Sequence, residues 1–212
     1  MVIRYICTAI LAYLLGSVST GIVFAKLTGK PDPRTAGSKS TGATNSLRTM
    51  GKAAGLVVLL GDALKAVLAC IIGMLLVDTV NPGLPPYGKM LASVFVVVGH
   101  IWPCWFGFKG GKGVACIIAC GIMCYPMPGL VALALGLGAL AVTRMVSIGS
   151  IVGVGMYAVV SLFWYGHGNL WVVGFAWVLA VMCIGKHHTN ISRIIHGKEN
   201  KFSLKSAGKN NK

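Results

Sequence analysis

Seven apolar runs, separated by polar stretches and at 126–128 by prolines, constrain this chain more than any other feature: residues 2–25, 53–77, 90–106, 114–125, 129–142, 148–165 and 170–185. With 56% of 212 residues hydrophobic and only 11% charged, the pattern is that of an integral membrane protein rather than of a soluble core. A backbone crossing lipid must satisfy its own N–H and C=O groups, which calls for helices. The expected fold is all-α, with about seven transmembrane helices in a single polytopic domain over 1–212. Runs 114–125 and 129–142 are shorter than the ~20 residues of a full span, so each is expected to be partial or tilted. Pro126 and Pro128 are expected to break the chain between them. The first run outlasts a signal-peptide core and no A-x-A-like site ends it, so it reads as a span.

The net charge of +15 raises nucleic acid as a partner, but the placement of the cations argues against it. They sit in short loops and in the tail. Alternating the loops across a membrane puts 16 Lys and Arg on one side and only Arg4 and Lys89 on the other. The positive-inside rule then makes the N-terminus external and the C-terminus cytoplasmic. Asp62 and Lys65 lie inside the second run, three residues apart and so on one helical face. Charges there face protein or water, and a structural ion pair is expected. His100, at the end of the third run, reads as a helix-end packing or hydrogen-bonding residue. Cys116, Cys120 and Cys124 share one face at four-residue spacing and read as small packing residues, with no metal and no cofactor expected. The tail 202–212 is basic; it is expected to touch anionic lipid or to be disordered.

Chemistry concentrates in the loops of the cation-rich side. Residues 34–48 read R-T-A-G-S-K-S-T-G-A-T-N-S-L-R, rich in donors and free of acids. Gly37 and Gly42 permit tight turns, and Ser38, Thr41, Asn45, Lys39 and Arg48 surround them. Consecutive N–H groups in such a turn form an anion-binding concavity. The second loop, F-K-G-G-K-G-V-A at 108–115, brings Gly110, Gly111, Lys112 and Gly113 to the start of an apolar helix, a favourable place for phosphate. It is not a Walker A loop, because its spacing differs and no Ser or Thr follows the lysine. A third loop carries Arg144 and Ser147. After the last run, K-H-H-T-N-I-S-R-I-I-H-G-K-E-N-K at 186–201 could form a short helix with His187 and Asn190 pointing the same way. Glu199 stands out there because the chain has only four acids. Neither a Ser-His-Asp arrangement nor a convincing carboxylate base is present. Any general-base help would come from His187 or from the substrate.

Three motifs resemble the bacterial acyl-phosphate:glycerol-3-phosphate acyltransferases of the PlsY type. They are Gly16-Ser17 followed by D-x-R-x-x-G-S…G-A-T-N at 32–45 and Arg48; G-H…F-x-G-G-K-G-V-A at 99–115; and K-H-x-x-N-I-x-R…G-x-E-x-K at 186–201. Lys39 and Ser40 depart from the family pattern, standing where glycine and asparagine are usual. The resemblance implies seven membrane helices in the bacterial inner membrane, with a site on the cytoplasmic side. It implies transfer of a fatty acyl group from acyl phosphate to the 1-hydroxyl of sn-glycerol 3-phosphate, giving lysophosphatidic acid and inorganic phosphate. Acyl-CoA and acyl carrier protein are not used directly.

Carried over by position, Ser38 and the glycine-rich backbone of both loops would bind the acyl phosphate head. Gly37, Thr41, Gly42, Ala43, Thr44 and Asn45 fall in the first loop, and Gly110, Gly111 and Gly113 in the second. Arg48 and Lys112 would bind a substrate phosphate, His187 and Asn190 would position the acceptor, and Ser147 would contribute to binding. Membrane lipid is the expected surroundings. No oligomeric state is read from the sequence, and a monomer is kept as the working expectation. A phosphate transporter would need donors deep in the spans and an internal repeat, and neither is clear. A module that only binds anionic lipid would not account for three separated motifs.

Overall fold

The structure, a computed structural model, describes residues 1–165 and 168–202. Regular structure among the described residues is helical throughout. Four helices are long and apolar enough to cross a membrane, or up to six if each of two bent pairs counts as one span. The chain groups into two compact units, residues 1–116 and 117–202.

The first unit begins with α1 (Val2–Gly16) and α2 (Thr20–Thr28), which replace the single span expected over 2–25. The pair bends by 40° at Ser17–Ser19, where small polar residues weaken the helical run. α3 (Ala43–Met50) occupies the end of the polar stretch, where the sequence suggested only loop. α4 (Lys52–Leu76), at 25 residues, is about 37 Å long and can cross the ~30 Å hydrocarbon core. α5 (Tyr87–Ile101) returns beside it. Asp78 holds that entry by accepting from Gly88 N (2.7 Å) and Lys89 N (3.3 Å), two first-turn amides that the helix itself leaves unpaired. α1 packs on both α4 and α5. Its closest approach is through Gly16 and Gly99, where an added Cβ would strike Val96 and Tyr13 backbone oxygens. α6 (Val114–Cys124) begins in this unit and, at 11 residues, stays well short of a span, as the sequence suggested.

In the second unit, α7 (Pro126–Thr143) and α8 (Val146–Tyr165) form an antiparallel pair, and α9 (Leu170–Lys186) packs on α8. The chain breaks between the two runs as expected, at Tyr125, and Pro126 and Pro128 lie inside the first turn of α7. Proline is tolerated there because the N–H it lacks would have no helical partner. α7 consequently reaches 18 residues and qualifies as a candidate span. α9 and α10 (His188–Ile195) are bent by 61° around His187. Of the tail expected over 202–212, all but Phe202 lies outside the described residues.

Candidate active site

Two polar clusters emerge, one in each unit. The first is built by the loop that leaves α2. Asp32 accepts from the Arg34 backbone N (2.9 Å) and from its Nε and Nη2 (3.1 and 2.7 Å). The Arg34 hydrogen bond holds the Asp32 carboxyl below its ordinary range, against the opposing effect of burial. Arg34 Nη1 also donates to Phe106 O (2.8 Å), tying this loop to the second one. Lys26 lies 5.7 Å over the Phe106 ring.

Asn45, on α3, organises what lies between. Its Nδ2 donates to Pro33 O (2.7 Å), Ala36 O (3.2 Å) and Ser40 O (2.9 Å), while its Oδ1 accepts from Ser38 N (2.8 Å). A buried amide engaged on both ends holds the loop in shape. Gly37 sits at φ 62° with Asn45 Oδ1 where its Cβ would be, so the turn requires glycine on two counts. Lys39 adopts φ 55° without that freedom. Gly42 caps α3, and Ala43 and Thr44 open it. Thr41 is buried, Arg48 is half-buried in the last turn, and the Ser38 side chain is half-buried beside the pinned turn.

The second loop doubles back on the end of α5. Gly110 N donates to Ile101 O (3.2 Å), Gly111 N to His100 O (3.0 Å) and Phe108 N to Pro103 O (3.0 Å). The N–H groups of Gly110 and Gly111 therefore close the loop itself. Lys112 and Gly113, the latter at φ 86°, lead straight into α6. Cys104 N on Ser17 Oγ (3.3 Å) and Tyr13 Oη on Trp102 O (3.1 Å) hold the turn against α1.

In the second unit, Glu199 is the hub. The chain leaves α10 through Gly197 at φ 66° and returns beneath it. Glu199 Oε1 accepts from Ser147 Oγ (2.9 Å) and Asn190 Nδ2 (2.8 Å); Oε2 accepts from Arg193 Nε (2.7 Å). Burial would raise its pKa, but the bonds from Arg193, Asn190 and Ser147 outweigh it and hold the carboxyl below 4.5. His187 and Asn190 are both buried, consistent with the shared inward face expected of them. His187 Nδ1 lies 2.8 Å from Cys183 O. A carbonyl only accepts, so Nδ1 carries a proton.

The site residues expected from the sequence thus divide between the units. Those at 37–48 and 110–113 lie in the first, and Ser147, His187 and Asn190 in the second. Sequence reasoning did not foresee that Glu199 gathers Ser147, Asn190 and Arg193, or that His100 reaches Asp62. The available signal was scarcity: of the four acids in the chain, Asp62, Asp78 and Glu199 each join separate elements, and Asp32 pins the first loop through Arg34.

The family model described as glycerol-3-phosphate acyltransferase matches residues 6–197. The chain belongs to the glycerol-3-phosphate acyltransferase family. Among curated relatives, the glycerol-3-phosphate acyltransferase of Clostridioides difficile (strain 630) is 38% identical over 209 residues, covering 96% of this chain and 98% of the relative. That of Thermoanaerobacter sp. (strain X514) is 36% identical over 201 residues, covering 95% and 97%. Two crystal structures of PlsY (YgiH), described as an integral membrane glycerol 3-phosphate acyltransferase, share the fold. The glycerol 3-phosphate form superposes with a TM-score of 0.85 at 34% identity, covering 94% of this chain and 96% of that one. The lysophosphatidic acid form gives 0.81 at 32% identity, covering 96% and 97%. This member of the acyltransferase family is accordingly a membrane protein. The family match takes in the first polar cluster and, in the second, Ser147, His187, Asn190 and Arg193, ending two residues before Glu199.

Proposed function

We propose that the chain transfers a fatty acyl group from acyl phosphate to the 1-hydroxyl of sn-glycerol 3-phosphate. The products are lysophosphatidic acid and inorganic phosphate, the first acylation of bacterial phospholipid synthesis. The observation that carries the reading is the near full-length match to PlsY, whose structures are described as glycerol 3-phosphate and lysophosphatidic acid forms, acceptor and product of this reaction. The acyl phosphate donor comes from the motif resemblance, and the chemistry of the loops agrees with it. Both substrates carry phosphate, and both loops offer hydroxyls, amides and cations.

The reaction needs no covalent enzyme intermediate, because acyl phosphate is already an activated mixed anhydride. The glycerol hydroxyl oxygen forms a bond to the carbonyl carbon, the bond from that carbon to the phosphate oxygen breaks, and phosphate departs. A phosphate oxygen of the donor takes up the hydroxyl proton. Ser38 and the turn around it hold the donor head. Lys112 and Arg48 neutralise charge on substrate phosphate, Lys112 beside the opening amides of α6. Gly110 and Gly111 act through loop shape, since their N–H groups bond Ile101 and His100. His187 positions the acceptor together with Asn190, and Asn190 and Ser147 are held in place by Glu199. Orientation and stabilisation of developing charge supply the rate. The protein sits in the bacterial inner membrane as seven spans, the 11-residue α6 counted as a short one, with the N-terminus outside and both polar clusters facing the cytoplasm; what supports this is the 16-to-2 bias of cations between alternate loops.

Purified protein in lipid, given palmitoyl phosphate, is expected to release phosphate only when glycerol 3-phosphate is present. Lys112→Ala should lower that rate about 100-fold or more. Release without the acceptor would make the protein a hydrolase, and no release from folded protein would end the enzyme reading.

A further inference from the structure

The first unit buries a charged cluster that an ion pair alone does not explain. Asp62 and Lys65 on α4 are 2% and 5% exposed, with Lys65 Nζ 2.9 Å from Asp62 Oδ1. That pair would suffice to neutralise both charges in an apolar helix. Yet the same Oδ1 also accepts from Thr20 Oγ1 (3.0 Å) and has His100 Nδ1 at 3.5 Å. Lys65 Nζ donates further, to Val18 O (2.8 Å).

These extra partners lie at the start of α2 and at the end of α5, where the second loop begins. Val18 is in the break between α1 and α2, and Thr20 is the first residue of α2. Gly21, one residue on, rests on Thr41 O of the first loop so closely that a Cβ would collide with it. His100 reaches the second loop twice: its carbonyl accepts Gly111 N, and its ring fills the space where a Gly111 side chain would be. The ring is thus wedged between Asp62 and the residue preceding Lys112.

We propose that Asp62, Lys65 and His100 are positioning residues for the acyl transfer proposed above, a buried node that fixes, from one carboxylate, the Gly110–Gly113 turn and the start of α2 on which Thr41 of the first loop rests. None of the three has to touch substrate. Their work is to hold the loop that aims Lys112, and this assignment of purpose rests on the acyltransferase reading.

The test separates charge neutralisation from positioning. Asp62→Asn with Lys65→Met removes both charges together, so no charge is orphaned. His100→Gln removes the ring and leaves the ion pair intact. In full-length protein in detergent, both variants are expected to keep the parent's elution profile and slow hydrogen–deuterium exchange across α4. The Gly110 and Gly111 amides should exchange at least tenfold faster than in the parent, and phosphate release dependent on glycerol 3-phosphate should fall at least tenfold. Exchange at Gly110 and Gly111 matching the parent would overturn the node, as would turnover of the charge-free double variant within twofold of the parent. If that double variant does not fold, His100→Gln decides by the same two readouts. A parent protein that transfers no acyl group would defeat the acyltransferase reading alone, and the exchange rates would still report on the node.

Discussion

Lys39 shows how much one residue's backbone can reveal. It stands where the resembling family has glycine, and the structure gives it a left-handed φ of 55°. An L-residue with a Cβ is disfavoured there by roughly 1–2 kcal/mol. Lys39→Gly is therefore expected to stabilise the protein by about 1 kcal/mol, less than the full strain because glycine also frees the unfolded chain. A rise in the midpoint of thermal unfolding in detergent would check this; an unchanged or lower midpoint would contradict it. Asn45 shows a structural role that a motif residue's type does not disclose. Its amide, adjacent to Ser38 in the motif's chemistry, suggested a ligand contact. All four of its hydrogen bonds go to the loop's own backbone. Spacing along the chain could not foretell that, because the partners at Pro33, Ala36 and Ser40 meet Asn45 only once the loop closes.

At the scale of elements, the helices were legible and their ends were not. Apolar length alone marks α4, α5, α8 and α9 to within a few residues. The bend between α1 and α2, the first-turn prolines of α7 and the short α3 depend on local backbone geometry that hydropathy does not carry. The return of the chain beneath α10 is the other feature that escaped, and it holds the second cluster together through Glu199. That cluster has a pH signature. The Glu199 pKa is lower in the folded protein than its ordinary 4.5, so its contribution to stability is fully present above about 4.5. It is lost as pH falls from there through the folded value. Parent and Glu199→Gln are therefore expected to differ in unfolding temperature at pH 6–7, with the gap narrowing below about pH 4.5. A gap that stays constant or widens in acid would refute the charge-dependent role. Ser147→Ala and Asn190→Ala each remove one donor to the same carboxylate, which makes Glu199→Gln the cleaner probe.

For the whole molecule, the proposal is an asymmetric one: donors and cations on one face, apolar helices elsewhere. Leu84 and Lys201, both exposed, lie in segments assigned to opposite sides. In a cysteine-free background, Leu84→Cys should react with a membrane-impermeant thiol reagent on intact cells. Lys201→Cys should react only after permeabilisation, and the reverse pattern would invert the topology. The central claim is chemical, that acyl phosphate is the donor to glycerol 3-phosphate. The most direct measurement supplies glycerol 3-phosphate with palmitoyl phosphate or with palmitoyl-CoA and identifies the lipid product by mass spectrometry. The expected result is 1-palmitoyl-glycerol 3-phosphate from palmitoyl phosphate and none from palmitoyl-CoA. Product from palmitoyl-CoA alone would contradict it.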